Sequence, residues 1–156
     1  LSPAYQVYFG INEFVTISDN LEEIAKTFES IEKGSSVALK EFMAVAKSNY
    51  DIAIKDLVYR PGVSPLELIT LETAKKINQF FGTISKDVKS KFKNKKLIQI
   101  LEFPVIFLGA KPSDTPSFYS FMNYADFGIG TFHPKGGMYE VILAMENLAK
   151  SLGVKS

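Results

Sequence analysis

Two β-branched and aromatic runs open the chain, Tyr5–Phe9 and Phe14–Ile17, and the four residues between them, Gly10 to Glu13, predict a β-hairpin. The period then becomes helical. Asp19 and Asn20 offer N-caps with Glu22 and Glu23 in the first turn. Leu21, Ile24, Ala25, Phe28 and Ile31 follow on one face as far as Gly34. Ser35 and Ser36 open a longer helix with Ala38, Phe42, Val45, Ala46, Ala53 and Leu57 on its stripe, stopped by Pro61-Gly62. A third helix is expected from Ser64-Pro65, carrying Leu66, Ile69, Thr73, Ala74, Ile77 and Phe80 towards Gly82, and a further start stands at Thr83–Lys86.

The second half is more mixed. Lys86, Lys89, Lys91, Lys93, Lys95 and Lys96 immediately precede the apolar stretch Leu97–Gly109. That stretch is interrupted by Gln99, Glu102 and Pro104, and a membrane span needs about 20 apolar residues, so it cannot cross a bilayer. A turn-rich loop over 110–116 leads to an aromatic segment, Ser117–Phe127, read as a short helix. Gly128-Ile129-Gly130 introduces a strand expected at Thr131–His133, and Pro134-Lys135-Gly136-Gly137 turns into a last helix. That helix carries Met138, Val141, Ile142, Met145, Leu148, Ala149 and Leu152 on one face, with Gly153 as its stop. The pattern predicts an α+β fold, predominantly helical. A small β-sheet from strands near both termini packs with several amphipathic helices in a single domain over 1–156.

Composition narrows the chemistry. There is no Cys and one His, which removes disulfides, thiol nucleophiles and Cys/His metal sites, and no metal is expected. Eighteen Lys+Arg against 17 Asp+Glu give a net charge of +1, so bulk attraction to nucleic acid is not implied. Thirteen Phe and seven Tyr without Trp supply more ring surface than a core of this size usually needs, which points to a cavity for an apolar ligand. Gly128 and Gly130 do not form a dinucleotide fingerprint, because His133 stands at the third glycine position and a strand is expected to follow. Lone His133 has no Ser or Cys partner at a family-like spacing. The Gly136-Gly137 turn permits close backbone approach just where an uncapped helix begins, so it can abut a ligand or serve as a plain turn. The opening Leu1-Ser2-Pro3 shows no charged-then-apolar leader, and the chain is expected to be a piece of a longer one.

The segment from Gly128 to Met138, with Pro134, Lys135 and Gly136-Gly137-Met138 ahead of an Ala/Leu-rich helix, resembles the phytoene desaturase family of FAD-dependent carotenoid oxidoreductases. Pro116 to Tyr124 and the opening hairpin resemble the same family. Two departures stand out: His133 replaces the usual Tyr, and Ile11-Asn12 replaces the usual Asp-Gly. The resemblance implies the substrate domain of an amine-oxidase-like flavoprotein, a phytoene dehydrogenase that abstracts hydride from a long polyene to FAD in carotenoid biosynthesis. The glycine-rich FAD segment of the family is not in this sequence, so the resemblance implies no cofactor in the chain alone and no turnover by it. Catalytic residues do not follow. Tyr119, Met122, Tyr124, Phe132 and Met138 are the substrate-binding candidates, and Gly136 and Gly137 the positions closest to flavin or substrate. Lys89, Lys91, Lys93, Lys95 and Lys96 are expected to face a membrane surface, and the location expected is cytoplasmic with peripheral membrane association. A carotenoid isomerase, a carotenoid oxygenase, a retinol saturase and a free-standing apolar-ligand module remain open alternatives.

Overall fold

The computed structural model describes residues 3–55, 57–59 and 70–154. Strands β1 (Tyr5–Gly10) and β2 (Glu13–Ile17) form an antiparallel hairpin pairing Tyr5 with Ile17 and Val7 with Val15, with an irregularity between Tyr8 and Gly10. Pleating sends Val15 and Ile17 into the core beside Tyr5 and Val7. Tyr8 and Phe14 take the other face, their rings 5.3 Å apart.

Helix α1 (Leu21–Ile31) is capped by Asn20, whose side chain accepts from the Glu22 N–H at 2.8 Å, and it buries Ile24, Ala25 and Phe28. Helix α2 (Ser35–Lys55) turns Leu39, Phe42, Met43, Ala46, Asn49 and Ala53 inward at helical spacing, while Val45 falls outside that stripe and is exposed. A 3₁₀ turn, Leu57–Tyr59, follows α2. The expected stop at Pro61-Gly62 and helix start at Ser64-Pro65 lie outside the described residues.

The third helix is two short ones, α3 (Leu71–Lys75) and α4 (Ile77–Phe81), divided at Lys76. Thr70 and Thr73 cap α3 reciprocally, and the Lys76 N–H closes a tight turn on the Thr73 carbonyl at 3.0 Å. Helix α5 (Ile84–Lys91) is capped by Thr83 and α6 (Lys95–Glu102) by Asn94. A 3₁₀ segment, Phe103–Leu108, ends at Gly109, whose φ is +68°. The aromatic segment runs as a 3₁₀ turn (Ser117–Ser120), helix α7 (Phe121–Asn123) and a π-helical stretch (Tyr124–Ile129). All three pieces lie against α2.

The core joins the hairpin, α1, α2, α5 and α6 around Phe28, Phe42, Phe92 and Phe127. The strand expected at Thr131–His133 does not form, and the sheet is the two-stranded hairpin near the start. The π-helical bonding persists to Gly130, whose N–H donates to the Ala125 carbonyl, and its φ of +98° redirects the chain before a ladder can begin. Helix α8 (Tyr139–Ser151) carries the predicted apolar stripe but buries no residue. The class is nonetheless α+β and predominantly helical, as the pattern predicts. Among the described residues no helix is long and apolar enough to cross a membrane.

Candidate functional site

The C-terminal turns of α2 bring Ala53 and Ile54 to one side of an apolar groove, continued by Leu57 and Val58. Phe80 of α4 and Phe118, Tyr119 and Phe121 form the other side, enclosing about 360 Å³. Phe80 stacks on Phe118 with centroids 4.8 Å apart, and Phe121 meets Phe118 edge-on at 5.9 Å and Tyr119 at 5.4 Å. The wall is therefore a set of mutually braced rings. Among the described residues no charged side chain lines it. Its volume falls within the range of small-molecule sites, and its lining suits a hydrocarbon.

Asn49, one helical turn before Ala53, holds the elements of the groove together. Fully buried, it offers its amide N–H groups to Gln79 Oε1 at 2.6 Å, Ser120 Oγ at 3.0 Å and the Phe118 carbonyl at 3.3 Å. Its Oδ1 accepts from Lys76 Nζ at 2.8 Å. Burial pushes the Lys76 ammonium below the usual lysine range, with Glu72 acting in the opposite direction. One side chain thus ties α2 to both α3–α4 and the aromatic segment, and the division of the third helix at Lys76 places that ammonium on Asn49.

Of the five substrate-binding candidates, Tyr119 lines the groove. Met122 is half-buried on α7, and Tyr124 packs its ring 5.4 Å from Tyr50 under the Lys47 ammonium. Phe132 and Met138, at either end of the Pro134–Gly137 turn, are 78% and 63% exposed. Ala53, Leu57 and Phe80 sit on predicted helix stripes, where a groove position and a core position look alike in sequence. Their convergence depends on contacts between distant parts of the chain.

Gly136 and Gly137 take φ values of +92° and +105°, closed by a Gly137 N–H to Pro134 carbonyl bond of 3.0 Å. A Cβ on Gly137 would meet nothing within 4 Å, so its backbone is open to approach. The side chains flanking this turn are exposed, however, and α8 is unburied along its length. The described residues do not form an enclosed flavin site. Nor is any group of three or more His, Asp or Glu side chains among them placed to hold a metal ion.

The lysine run is partly committed. Lys89 Nζ donates to Ser85 Oγ at 2.8 Å and lies 3.7 Å from Glu102. Lys91 pairs with Asp87, and Lys96 pairs with Glu13 while its ammonium stands 5.8 Å from the Phe9 ring centre. Lys93 and Lys95 are exposed and make no ion pair among the described residues.

A half-buried acid lies elsewhere. Asp126 accepts from the Tyr5 hydroxyl at 2.5 Å, joining the π-helical stretch to β1. Burial raises the Asp126 carboxyl above the usual range and the Tyr5 bond partly offsets it; burial, then Asp126 itself, raises the Tyr5 phenol. A carboxyl whose folded pKa exceeds its unfolded value favours folding most when protonated, and that contribution is lost as pH rises through the folded pKa. Asp126→Asn keeps an acceptor for Tyr5 without the half-buried charge. Its melting temperature is expected to exceed the wild type by a few degrees at pH 7, the gap closing as pH falls to about 4. A gap that does not change with pH would contradict this account.

No family model matches the chain. Curated relatives do, along nearly all of it. A carotenoid 3,4-desaturase of Haloarcula japonica is 30% identical over 99% of the chain and 32% of the relative's own length. A zeta-carotene-forming phytoene desaturase of Myxococcus xanthus is 27% identical over 98% of the chain and 30% of its own length. A 4,4'-diapophytoene desaturase of Staphylococcus haemolyticus is 27% identical over 99% of the chain and 31% of its own length. The chain thus spans about a third of the length of these relatives. Over that third, its sequence is similar to those of carotenoid desaturases, phytoene desaturases among them.

Proposed function

We propose that this chain is the substrate-binding part of an FAD-dependent carotenoid desaturase, and that its groove holds one stretch of a long polyene. The observation that carries the reading is the ring-walled groove of about 360 Å³, with no charged side chain among the described residues that line it. Kinship to desaturases supplies the class of reaction.

Introducing a double bond removes two hydrogens from adjacent saturated carbons, neither of which is acidic, so an acid–base pair has little to act on. Orientation and exclusion of water are what a protein can contribute, and an apolar, braced wall supplies both. A bound flavin would supply the hydride acceptor that the family resemblance implies. Phe80, Phe118, Tyr119 and Phe121 would fix the rotation of the hydrocarbon, and Ala53 leaves room for it. Lys89, Lys91, Lys93, Lys95 and Lys96 would face the membrane that carries the substrate, with Lys93 and Lys95 supplying the cations free of ion pairs.

Ala53→Phe in the full-length protein is the test, because it places a ring in the groove. Polyene binding, read from the carotenoid absorbance shift, is expected to weaken about tenfold, equivalent to about 1.4 kcal/mol. Flavin content and melting temperature should be preserved. Undiminished binding with an unchanged melting temperature would remove the groove from the substrate path. Loss of desaturated product alongside retained isomerised or cleaved product would move the parent to one of the other polyene reactions.

A further inference from the structure

The junction between α1 and α2, with Lys33 and Ser35, faces the junction between α5 and α6, with Lys91 and Lys93, across an open cleft of about 600 Å³. Ser35 is the first residue of the 21-residue helix α2. It lines the cleft at 2% exposure, and its hydroxyl has no hydrogen-bond partner among the described residues. Buried hydroxyls are rarely left without a partner, and this one is available to a ligand oxygen.

The neighbouring acids are already engaged. Glu29 accepts from the Gly34 and Ser36 N–H groups at 2.8 and 3.0 Å. Glu32 accepts from the Asn94 N–H at 2.7 Å and the Lys93 N–H at 3.1 Å, and Asp87 pairs with Lys91. Lys33 acts on the Glu29 charge from a distance, and neither Lys33 nor Lys93 forms an ion pair among the described residues. The starts of α2 and α6 both open onto this cleft, and Glu29, Glu32 and the Asn94 side chain already accept from their N–H groups, so the charge for an anion comes from the lysines.

We propose that this cleft binds a phosphate group, held by the Ser35 hydroxyl and the Lys33, Lys91 and Lys93 ammonium groups. A phosphate carries up to two negative charges and several acceptor oxygens spread over a tetrahedron, which suits donors that converge from two helix junctions. The elements differ from those of the polyene groove, so either reading can fail without the other.

The experiment titrates the full-length protein with inorganic phosphate, and separately with phosphatidylcholine vesicles with and without phosphatidylglycerol, following the amide signals of Gly34, Ser35, Lys93 and Asn94. Phosphate is expected to shift these signals, and Lys33→Gln/Lys93→Gln to weaken binding about tenfold. The same shifts with phosphatidylglycerol vesicles, lost in the double variant, assign the phosphate to a lipid headgroup. Saturation by free phosphate with no response to vesicles assigns it to a soluble ligand. Ser35→Ala separates ligand from fold. It is expected to melt higher than wild type in phosphate-free buffer, having lost a buried unpaired hydroxyl, yet to gain less on adding phosphate. Silence of the four amides to both probes, or equal binding by wild type and the double variant, overturns the site.

Discussion

Truncating Phe28 to alanine is expected to destabilise the protein by about 3–5 kcal/mol, the usual result of emptying a buried ring position. Phe28 is fully buried on α1, and its ring meets Phe92 edge-on at 6.1 Å and Phe127 at 6.3 Å. Three parts of the chain that are distant in sequence therefore lose a shared partner. For a domain of this size each kcal/mol shifts the melting temperature by about 2–4 °C, so a fall of about 10 °C is expected. Phe107→Ala is the control, since Phe107 is 75% exposed and its loss should change stability by about 0.5 kcal/mol or less. Urea unfolding of the two variants decides the matter. Equal effects would mean that the Phe28 cluster is not the core.

The second large effect is at Asn49. Replacement by leucine keeps the volume but strips the Lys76 ammonium, Gln79, Ser120 and the Phe118 carbonyl of a common partner. Leaving a buried polar group unmatched costs about 1–3 kcal/mol, and Asn49→Leu strands both the Ser120 hydroxyl and the Phe118 carbonyl in the interior, so about 3 kcal/mol is expected. Because Phe80 and Phe118 are braced through this residue's partners, polyene binding should fall alongside stability. Asn49→Leu/Lys76→Met removes the stranded charge and should recover part of the stability, measured as a double-mutant cycle. A double variant no more stable than Asn49→Leu would show that Lys76 finds water instead.

Local signals in the sequence proved most legible where the chain answers to its own neighbours. The hairpin, the Asn20 cap of α1 and the Phe42, Ala46 and Ala53 positions of the α2 stripe follow from period and capping alone, whereas Val45, expected on that stripe, is exposed. The division of α3 from α4 does not, because Lys76 is held by Asn49, a residue 27 positions away. The strand expected at Thr131–His133 fails for a related reason: β-propensity needs a partner edge, and the chain turns at Gly130 without reaching one. Aromatic density located Tyr119 in the groove, yet the same density also covers Tyr124, which packs on Tyr50 instead. Ala53 carried no signal, since a small residue on a helix stripe reads as ordinary packing until the opposing rings are in place.

Helix α8 has a practical corollary for solution work on this polypeptide. Its stripe leaves Met145, Leu148 and Leu152 at 67%, 61% and 75% exposure on a folded helix. Environment-sensitive hydrophobic dyes should bind that native surface, so dye-reported melting curves would begin from a bright baseline and understate cooperativity. Circular dichroism, which reads the backbone, gives the melting temperatures on which the Phe28, Asn49 and Asp126 comparisons rest.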